Sequence, residues 1–347
     1  MLADTSVIAA RGLVSIPSQL GTGFQVHSSS VVSEDDAVAR ADVTAVIVSY
    51  NTATYLRECL RSLLDTADDI DIEIVVVDNA SVDDSPDLVA AEFPNVTLIA
   101  LDDNVGFARA CNIGARAGHG EHILLLNPDA SLRPGCVQAL LDLRRRFPAT
   151  EIVGGRALHE DGALNPTSCF GLPSLWGMFC FGVGLSTIFA RSAVFNPESL
   201  GRWARDTERQ VGVVTGCLLL CRRTFWDALD GLDETYFVYG EDVDFAIRAR
   251  RLGAQARIAP AAEFVHIGGV ASETSAAKWT MMLRGKVTLM RLRWSPPRAA
   301  LGIRLLLLGT WLRAVGARMH LPVRGPWIEN WARRSQWLAG WDGPQLT

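Results

Sequence analysis

The stretch Ile123-Leu-Leu-Leu-Asn-Pro-Asp-Ala130 decides the fold. Its four apolar residues predict a buried strand, and the following Asn-Pro-Asp predicts the turn that ends it. The turn presents one carboxylate, Asp129, just beyond the carboxyl end of a central strand. A carboxylate in that place is able to hold a divalent cation, which in turn holds a diphosphate. Because Asn-Pro-Asp is also an ordinary turn, this interpretation depends on the segments on either side.

Two earlier segments share this arrangement of an apolar strand followed by polar residues: Val46-Ile-Val-Ser-Tyr-Asn51 and Ile74-Val-Val-Val-Asp-Asn-Ala-Ser81. Segments with helical spacing lie between the strands, so the sequence predicts an α/β fold with a mostly parallel sheet between helices. The predicted strands are 44–48, 73–77, 96–100 and 123–126, and the predicted helices are 55–64, 86–93, 106–117 and 134–147. Ligands of such sheets bind beyond the carboxyl ends of the strands. Seven polar residues fall there: Ser49, Tyr50, Asn51, Asp78, Asn79, Asn127 and Asp129.

The composition limits the class of protein. The chain has 347 residues, 49% of them hydrophobic, and a net charge of -5, which predicts a largely folded protein and argues against a nucleic-acid partner. Seven cysteines without a C-x-x-C spacing favour reduced thiols in a cytosolic protein. The first residues lack the basic and apolar regions of a signal peptide. We expect a poorly ordered extension over residues 1–41, a sheet domain over 42–275 and an amphipathic helical region over 276–347.

An acidic cluster follows Gly240 and precedes a predicted helix over 245–252. It contains Glu241, Asp242 and Asp244. Three carboxylates this close can include one with a raised pKa, which suits it to take a proton from an attacking hydroxyl. The alternative is a helix whose first turn is enriched in acidic residues, which is common because the helix dipole favours negative charge there.

Two further residues have both a chemical and a structural interpretation. His266 follows an apolar strand segment and precedes Gly268-Gly269, so it either binds a metal or phosphate or is a structural histidine. Asp78 follows an apolar strand, where its carboxylate is able to accept a hydrogen bond from the imide N–H of uracil or thymine. An aspartate at this place is also common as a turn or helix-capping residue.

Two apolar regions raise the question of a membrane. Residues 162–190 carry no charge and hold five large aromatic residues, together with glycines and prolines, which favours a loop-rich apolar flap over a transmembrane helix. A strand is predicted over 211–220. Residues 278–319 are helical in pattern, broken at Pro296-Pro297, and rich in arginine. They fit an amphipathic helix on an anionic membrane surface and, equally, a helical pair packed on the sheet domain.

In their order along the chain, these segments resemble the family 2 glycosyltransferases, inverting enzymes with the GT-A fold. The resemblance runs over residues 43–272 and rests on the three strand segments above and on four others. These are Asn104-Val-Gly-Phe-Ala-Arg-Ala-Cys-Asn112, Val214-Thr-Gly-Cys-Leu-Leu-Leu220, Phe237-Val-Tyr-Gly-Glu-Asp-Val-Asp-Phe245 and His266-Ile-Gly-Gly. The rhamnosyltransferase-like subgroup, which builds bacterial cell-wall or surface polysaccharide on lipid carriers, is the most similar in appearance.

The resemblance implies a role for each matching residue on the donor side. The nucleotide-sugar would be held by Ser49, Tyr50, Asn51, Asp78, Asn104, Gly106, Asn112 and Asn127. Asp78 would contact the base. Residues 127–129 correspond to a metal-binding D-x-D whose first position is Asn here, which leaves Asp129 as the one firm carboxylate ligand of Mg²⁺ or Mn²⁺. His266 would be the second ligand or a diphosphate contact.

On the acceptor side, the resemblance implies that Asp242 is the general base, with Glu241 and Asp244 as weaker candidates. Thr215 and Gly216 would lie where donor and acceptor meet. The implied enzyme is a glycosyltransferase of the hexosyltransferase type (EC 2.4) that uses a dTDP- or UDP-sugar, with dTDP-rhamnose favoured. Its acceptor would be a hydroxyl of a glycan or polyprenyl-linked molecule at the cytoplasmic, inner face of the cell membrane, with peripheral membrane contact.

Two other functions compete with this one. A nucleotidyltransferase typically needs a glycine-rich, basic first turn to bind triphosphate. The first turn here, Ser49-Tyr-Asn-Thr-Ala-Thr54, has neither glycine nor lysine. A catalytically inactive nucleotide-sugar-binding partner of a polysaccharide assembly complex would have little use for an intact acidic cluster.

Overall fold

The computed structural model describes residues 25–27, 41–66, 70–268, 275–322 and 325–343. Its strands are β1 Gln25–His27, β2 Val43–Ser49, β3 Ile72–Asp78, β4 Thr97–Ala100, β5 His122–Leu126, β6 Ala130–Leu132, β7 Thr150–Leu158, β8 Cys169–Phe170, β9 Arg209–Val211, β10 Val213–Val214, β11 Leu218–Arg222 and β12 Gln255–His266. Its α-helices are α1 Ala53–Asp65, α2 Ser85–Glu92, α3 Phe107–Ala117, α4 Cys136–Arg146, α5 Leu175–Gly182, α6 Leu185–Ile188, α7 Arg223–Ala228, α8 Glu241–Arg251, α9 Ser275–Arg293, α10 Pro296–Arg318, α11 Trp327–Ala332 and α12 Arg334–Ala339. Most of the predicted poorly ordered extension, residues 1–24 and 28–40, lies outside the described residues.

One large sheet organises the molecule, in the order β1-β4-β3-β2-β5-β11-β7-β12-β6, with β9 also paired to β12. The run β4-β3-β2-β5 is parallel, as is β7 with β12. Strand β11 lies antiparallel between β5 and β7. The predicted α/β fold, with a central sheet flanked by helices and a helical C-terminal region, is confirmed. Because the parallel strands end together, their polar residues gather at one edge.

The core lies on both faces of this sheet. Alternate residues of β2 point to opposite sides, so Ala45 and Ile47 pack with α1, α2 and α4, whereas Val46 and Val48 pack with α3, α7 and α8. A strand buried on both faces needs apolar residues at every position, which explains the continuous apolar runs in the sequence. The predicted strands and helices of residues 44–147 are all present.

The predicted strand over 211–220 is wrong as a single element. β10 ends at Val214, and β11 begins only at Leu218. The intervening turn contains Thr215, whose hydroxyl donates to the backbone oxygen of Thr167 at 2.9 Å. This turn places Thr215 and Gly216 at the edge where the parallel strands end.

The C-terminal helices pack on the rest of the protein rather than standing apart. Helix α9 contacts α8, and α10 contacts α5 of the uncharged region. The flap predicted over 162–190 contains two short helices, α5 and α6, and neither is long enough to span a membrane. Among the described residues, α10 alone is long and apolar enough to do so by length and composition, and 44% of its most apolar window is buried within the protein.

Candidate active site

The polar ends of the parallel strands open into a cavity of about 250 Å³. Its walls come from strand ends, from the start of α3, from the segment before α8 and from α9. The residues that line it are Val48, Tyr50, Thr52, Asn79, Asn104, Gly106, Phe107, Asn127, Pro128, Asp129, Phe237, Val238, Tyr239 and Met281. Four predicted donor-site residues, Tyr50, Asn104, Gly106 and Asn127, therefore lie at one cavity together with the predicted metal ligand Asp129.

Side-chain amides fix one wall of this cavity. Asn79 donates to Asn104 Oδ1 at 2.9 Å and accepts from the Val105 N–H at 2.9 Å. Asn104 Oδ1 also accepts from the Gly106 N–H at 3.0 Å. Gly106 has φ +85, and a Cβ on it would lie 2.6 Å from the Phe237 oxygen. Only glycine fits this close approach, which joins α3 to the segment that precedes the acidic cluster.

The ends of β2 and β3 lie behind the same wall, where Ser49 and Asp78 are register partners. Ser49 is buried and shares a 2.9 Å hydrogen bond with Thr52. Asn51 accepts from the Val82 N–H at 2.8 Å and so holds the two strand-end loops together. Neither side chain lines the cavity. Both shape the loops that follow β2 and β3.

Asp78 is only 3% exposed. Its Oδ2 accepts from the Ser81 N–H at 3.0 Å, whereas its Oδ1 is buried without a partner among the described residues. Burial raises the pKa of Asp78, and the hydrogen bonds from Ser81 oppose this only in part. A buried carboxylate oxygen without a partner is costly, so this atom is suited to accept a hydrogen bond from a ligand.

Asp129 and His266 come together because β6 pairs with β12 in a register that sets His266 opposite Ala130. His266 Nε2 lies 3.3 Å from Asp129 Oδ1, and Asp129 Oδ2 accepts from the Gly268 N–H at 3.0 Å. Burial alone would raise the pKa of Asp129, but the contacts with His266 and Gly268 outweigh it and the pKa is lowered. The carboxylate is therefore charged at neutral pH.

This pair fits a divalent cation that a substrate also ligates. The described residues contain no group of three His, Cys, Asp or Glu residues that could hold a metal by themselves. Mg²⁺ is commonly bound by one or two carboxylates together with substrate phosphates and water. Asp129 Oδ1 and His266 Nε2 offer two ligand atoms on one side, and the remaining positions suit diphosphate oxygens.

Two residues that the sequence did not single out orient His266. Thr167 Oγ1 lies 3.3 Å from His266 Nδ1, which leaves Nε2 facing Asp129. Asn165 donates to the His266 carbonyl oxygen at 2.8 Å and accepts from the Thr167 N–H at 3.1 Å. About a hundred residues separate Asn165 and Thr167 from His266 along the chain. The sequence Asn-Pro-Thr by itself predicts only a turn. Only the fold reveals their role.

A second cavity of about 160 Å³ adjoins the first and shares Phe107 and Asn127 with it. It is lined by Phe107, Asn127, Thr167, Thr215, Gly216, Cys217, Glu241, Asp242 and His266. The predicted base Asp242 thus faces the same small space as the predicted metal ligand His266. The predicted residues Thr215 and Gly216 line this cavity as well.

The two carboxyls of this second cavity differ in their surroundings. Burial raises the pKa of Asp242 to about 6, although the N–H groups of Val243 and Gly216 hydrogen-bond to it and oppose the shift. Glu241 is 5% exposed, and its Oε2 has no partner among the described residues. Burial and the neighbouring Asp242 raise its pKa well above the usual value. Asp242 therefore ionises near pH 6. Because the charge on Asp242 is one of the causes that raise the pKa of Glu241, Asp242 is the carboxyl that ionises first.

Two further predicted residues, like Ser49, Asn51 and Asp78, line neither cavity. Asn112 is buried in α3, where it donates to the Leu232 oxygen at 2.8 Å and to Glu234 at 3.0 Å. Its amide holds this loop, and its side chain does not line the first cavity. Asp244 is fully buried and paired with Arg248 at 2.7 Å and with Arg293, which makes it a structural partner rather than a base.

Comparisons with known proteins identify the family of this chain. A model of glycosyl transferase family 2 matches residues 44–170. An N-acetylglucosaminyl-diphospho-decaprenol L-rhamnosyltransferase of Mycobacterium tuberculosis is 31% identical over 242 residues, which cover 65% of this chain and 76% of that protein. The chain belongs to glycosyl transferase family 2. It is therefore a glycosyltransferase.

Two further relatives of this family 2 glycosyltransferase are informative. The succinoglycan biosynthesis protein ExoO of Rhizobium meliloti is 39% identical over 102 residues, which cover 29% of each chain. The mannosyltransferase PcManGT of Pyrobaculum calidifontis, solved in complex with GDP-Man and Mn²⁺, covers 87% of this chain and 86% of its own with a TM-score of 0.53. At 19% identity this likeness shows the fold alone, and the shared fold is GT-A.

Proposed function

We propose that this protein is an inverting glycosyltransferase that moves L-rhamnose from dTDP-rhamnose to a hydroxyl of a lipid-linked glycan. The reaction would serve cell-wall or surface polysaccharide synthesis at the cytoplasmic face of the membrane. One observation carries the proposal: the cavity that contains Asp129 adjoins the cavity that contains Asp242, and Asn127 lines both. The likeness to a rhamnosyltransferase named for a decaprenol-linked substrate supports this choice of donor and acceptor.

The arrangement suits a single displacement. The donor would occupy the first cavity with its diphosphate beside Asp129 and its anomeric carbon directed toward Asn127. The acceptor hydroxyl would enter the second cavity, where Asp242 takes its proton as it attacks. Attack from the side opposite the leaving diphosphate inverts the configuration at the anomeric carbon. The bond from that carbon to the diphosphate oxygen breaks, and the nucleoside diphosphate leaves.

The leaving group must be stabilised as its charge develops. Asp129 and His266 would hold a divalent cation, Mg²⁺ or Mn²⁺, which when bound neutralises the diphosphate and makes it a better leaving group. Thr167 and Asn165 keep the His266 ring turned toward Asp129. The chain thus supplies an oriented pair of ligands and leaves the other coordination positions to the substrate.

Asp78 gives a reason to favour a pyrimidine base. Its buried Oδ1 lacks a partner among the residues that the structure describes, and the imide N–H of thymine or uracil would supply one. Guanine also carries an N–H donor, so the choice between guanine and a pyrimidine depends on which ring fits at the ends of β2 and β3. A donor panel therefore needs sugars linked to both classes of base.

The first experiment is a donor screen. Purified protein is incubated with Mg²⁺ or Mn²⁺ and a panel of dTDP-, UDP- and GDP-sugars, and the released nucleoside diphosphate is followed with and without EDTA. Metal-dependent release from dTDP-rhamnose alone is the expected result. Preferential release from another donor would overturn the choice of sugar. A different result would be donor binding in calorimetry with no release of nucleoside diphosphate, whichever polyprenyl diphosphate-linked acceptor is added. It would indicate an inactive nucleotide-sugar-binding protein.

A further inference from the structure

Exposed apolar side chains concentrate in two stretches of the described structure. Of the twenty large hydrophobic residues that are exposed there, twelve lie in residues 176–194 and 301–321. The first group is Trp176, Phe179, Val183, Ile188, Phe189 and Val194. The second is Leu301, Leu308, Trp311, Leu312, Met319 and Leu321. Clusters of this kind on a folded surface mark interaction sites.

The two stretches belong to one packed unit, which we call the α5–α6–α10 face. Arg313 of α10 is buried against the Phe181 ring, 3.9 Å from its centroid, and donates to the Phe181 oxygen at 2.8 Å. It also donates to the Thr187 hydroxyl at 2.6 Å. A Cβ on Gly309 would lie 2.6 Å from the Phe181 ring. These contacts fix α5 and α6 beside the exposed side of α10.

The charged residues of α9 and α10 have one sign. From residue 274 to residue 328 the sequence has ten lysines and arginines and no aspartate or glutamate, in a chain whose net charge is -5. Several of these cations are used internally, such as Lys286 with Glu198 and Arg293 with Asp244. Arg298, Arg304 and Arg318 of α10 are exposed. Exposed arginines among exposed apolar residues match a surface that is both anionic and apolar.

The internal contacts of α10 favour a helix that lies along such a surface over one that crosses it. Spanning would carry Arg304 and Arg313 into hydrocarbon, which is costly. It would also break the contacts of Arg313 with α5 and α6. A helix in the interface keeps these contacts, inserts Leu308, Trp311 and Leu312, and lets the arginines reach lipid phosphates.

From this geometry we infer that the α5–α6–α10 face docks on an anionic lipid bilayer. The inference deepens the proposed function, because it assigns the surface by which the enzyme would reach a lipid-linked acceptor. Docking itself requires neither donor nor acceptor. A test without substrates therefore separates failure of this inference from failure of the proposed reaction.

The test is co-sedimentation of the full chain with vesicles of phosphatidylcholine alone and of phosphatidylcholine with phosphatidylglycerol. We expect binding only when phosphatidylglycerol is present. Ile188→Glu and Trp311→Glu should each lower the vesicle-bound fraction at least tenfold. Arg304→Gln and Arg318→Gln should each weaken vesicle binding about fivefold at low salt. Added salt should also weaken vesicle binding by the parent protein.

The matched controls are Leu64→Glu and Leu252→Glu, which add the same charge at exposed apolar positions outside the face. Both should bind vesicles as the parent protein does. Circular dichroism and nucleotide binding verify that every variant is folded. Equal loss in the controls, or no binding to phosphatidylglycerol vesicles, would overturn the inference. A dimer in sedimentation velocity that Ile188→Glu dissociates, without vesicle binding by the parent, would assign the face to a second copy of the chain.

Discussion

Arg293, the last residue of α9, joins Asp233 and Asp244. Its guanidinium lies 2.6 Å from an Asp233 oxygen and 3.0 Å from Asp244 Oδ2. These two aspartates bracket the segment that carries Phe237 and Tyr239 of the first cavity and Asp242 of the second cavity. Helix α9 therefore holds both ends of the segment that carries the proposed base.

Arg293→Met should destabilise the protein by about 3–5 kcal/mol, because it leaves a buried carboxylate short of a partner. We also expect turnover to fall at temperatures where the variant is still folded, since Asp242 loses its support. Arg293→Lys should recover part of both losses. Denaturant unfolding and steady-state kinetics measure these effects. Arg318→Met, at an exposed position, is the control and should stay within about 0.5 kcal/mol of the parent.

Asp242→Asn should abolish transfer while donor binding survives. Removing a positioned general base typically costs about 10²–10⁴-fold in rate. Asp242 does not line the first cavity, in which we propose that the donor binds. Kinetics with a lipid-linked acceptor and calorimetry with the donor test the two halves separately. Near-normal turnover would show that the base is assigned to the wrong residue.

The pH profile provides an independent test of Asp242. Its pKa of about 6 means that kcat/KM should fall as the pH drops through about 6 and level off above it.

The raised pKa of Asp242 also makes the stability of the protein depend on pH. A carboxyl whose pKa is raised on folding contributes stability that is lost as the pH rises from about 4 to about 6. Asp242→Asn should therefore raise the Tm at pH 7, with a smaller difference at pH 4.

Glu241→Gln should behave differently from its neighbour. Because the Glu241 carboxyl is buried and its pKa is raised, an amide of the same shape replaces the neutral form of the side chain, which burial favours. We expect turnover within about threefold of the parent, whereas Glu241→Ala should leave a cavity and lose both stability and activity. Turnover by the glutamine variant as low as that of Asp242→Asn would show that Glu241 is the ionised group.

Most of the fold was predictable because each strand of the parallel run is buried on both faces and reads as an apolar segment. The grouping of Asp129 with His266 was predicted only through the family resemblance, since their proximity depends on the register of β6 with β12. Asn112 was misplaced because its motif matches the family, while its side chain turns toward Leu232. Thr167 and Arg293 carried no local signal. Their partners lie far away in sequence, so the roles of Thr167 and Arg293 become visible only from tertiary contacts.

Thr167→Val should weaken metal binding without removing a ligand. The hydroxyl lies 3.3 Å from His266 Nδ1, and loss of a partner that orients a metal-binding histidine typically costs about 10–100-fold in affinity. Titration with Mn²⁺ in the presence of a nucleoside diphosphate measures this. Thr235→Val, at a threonine outside both cavities, is the control. Unchanged Mn²⁺ affinity in Thr167→Val would mean that His266 is oriented by the backbone contact of Asn165 alone.

Asp78→Asn tests how the base is recognised. Removing the charge should lower the affinity for dTDP and UDP by about 10–100-fold, which is the range for a hydrogen bond to a charged group. The effect on GDP should be smaller if the partner of Oδ1 is the imide N–H of a pyrimidine. Burial raises the pKa of Asp78, so dTDP affinity of the parent should also decline on acidification, and this decline should vanish in the variant. Asp84→Asn, an exposed aspartate at the start of α2, is the control. Equal losses for dTDP and GDP would mean that Asp78 shapes the loop after β3 without reading the base.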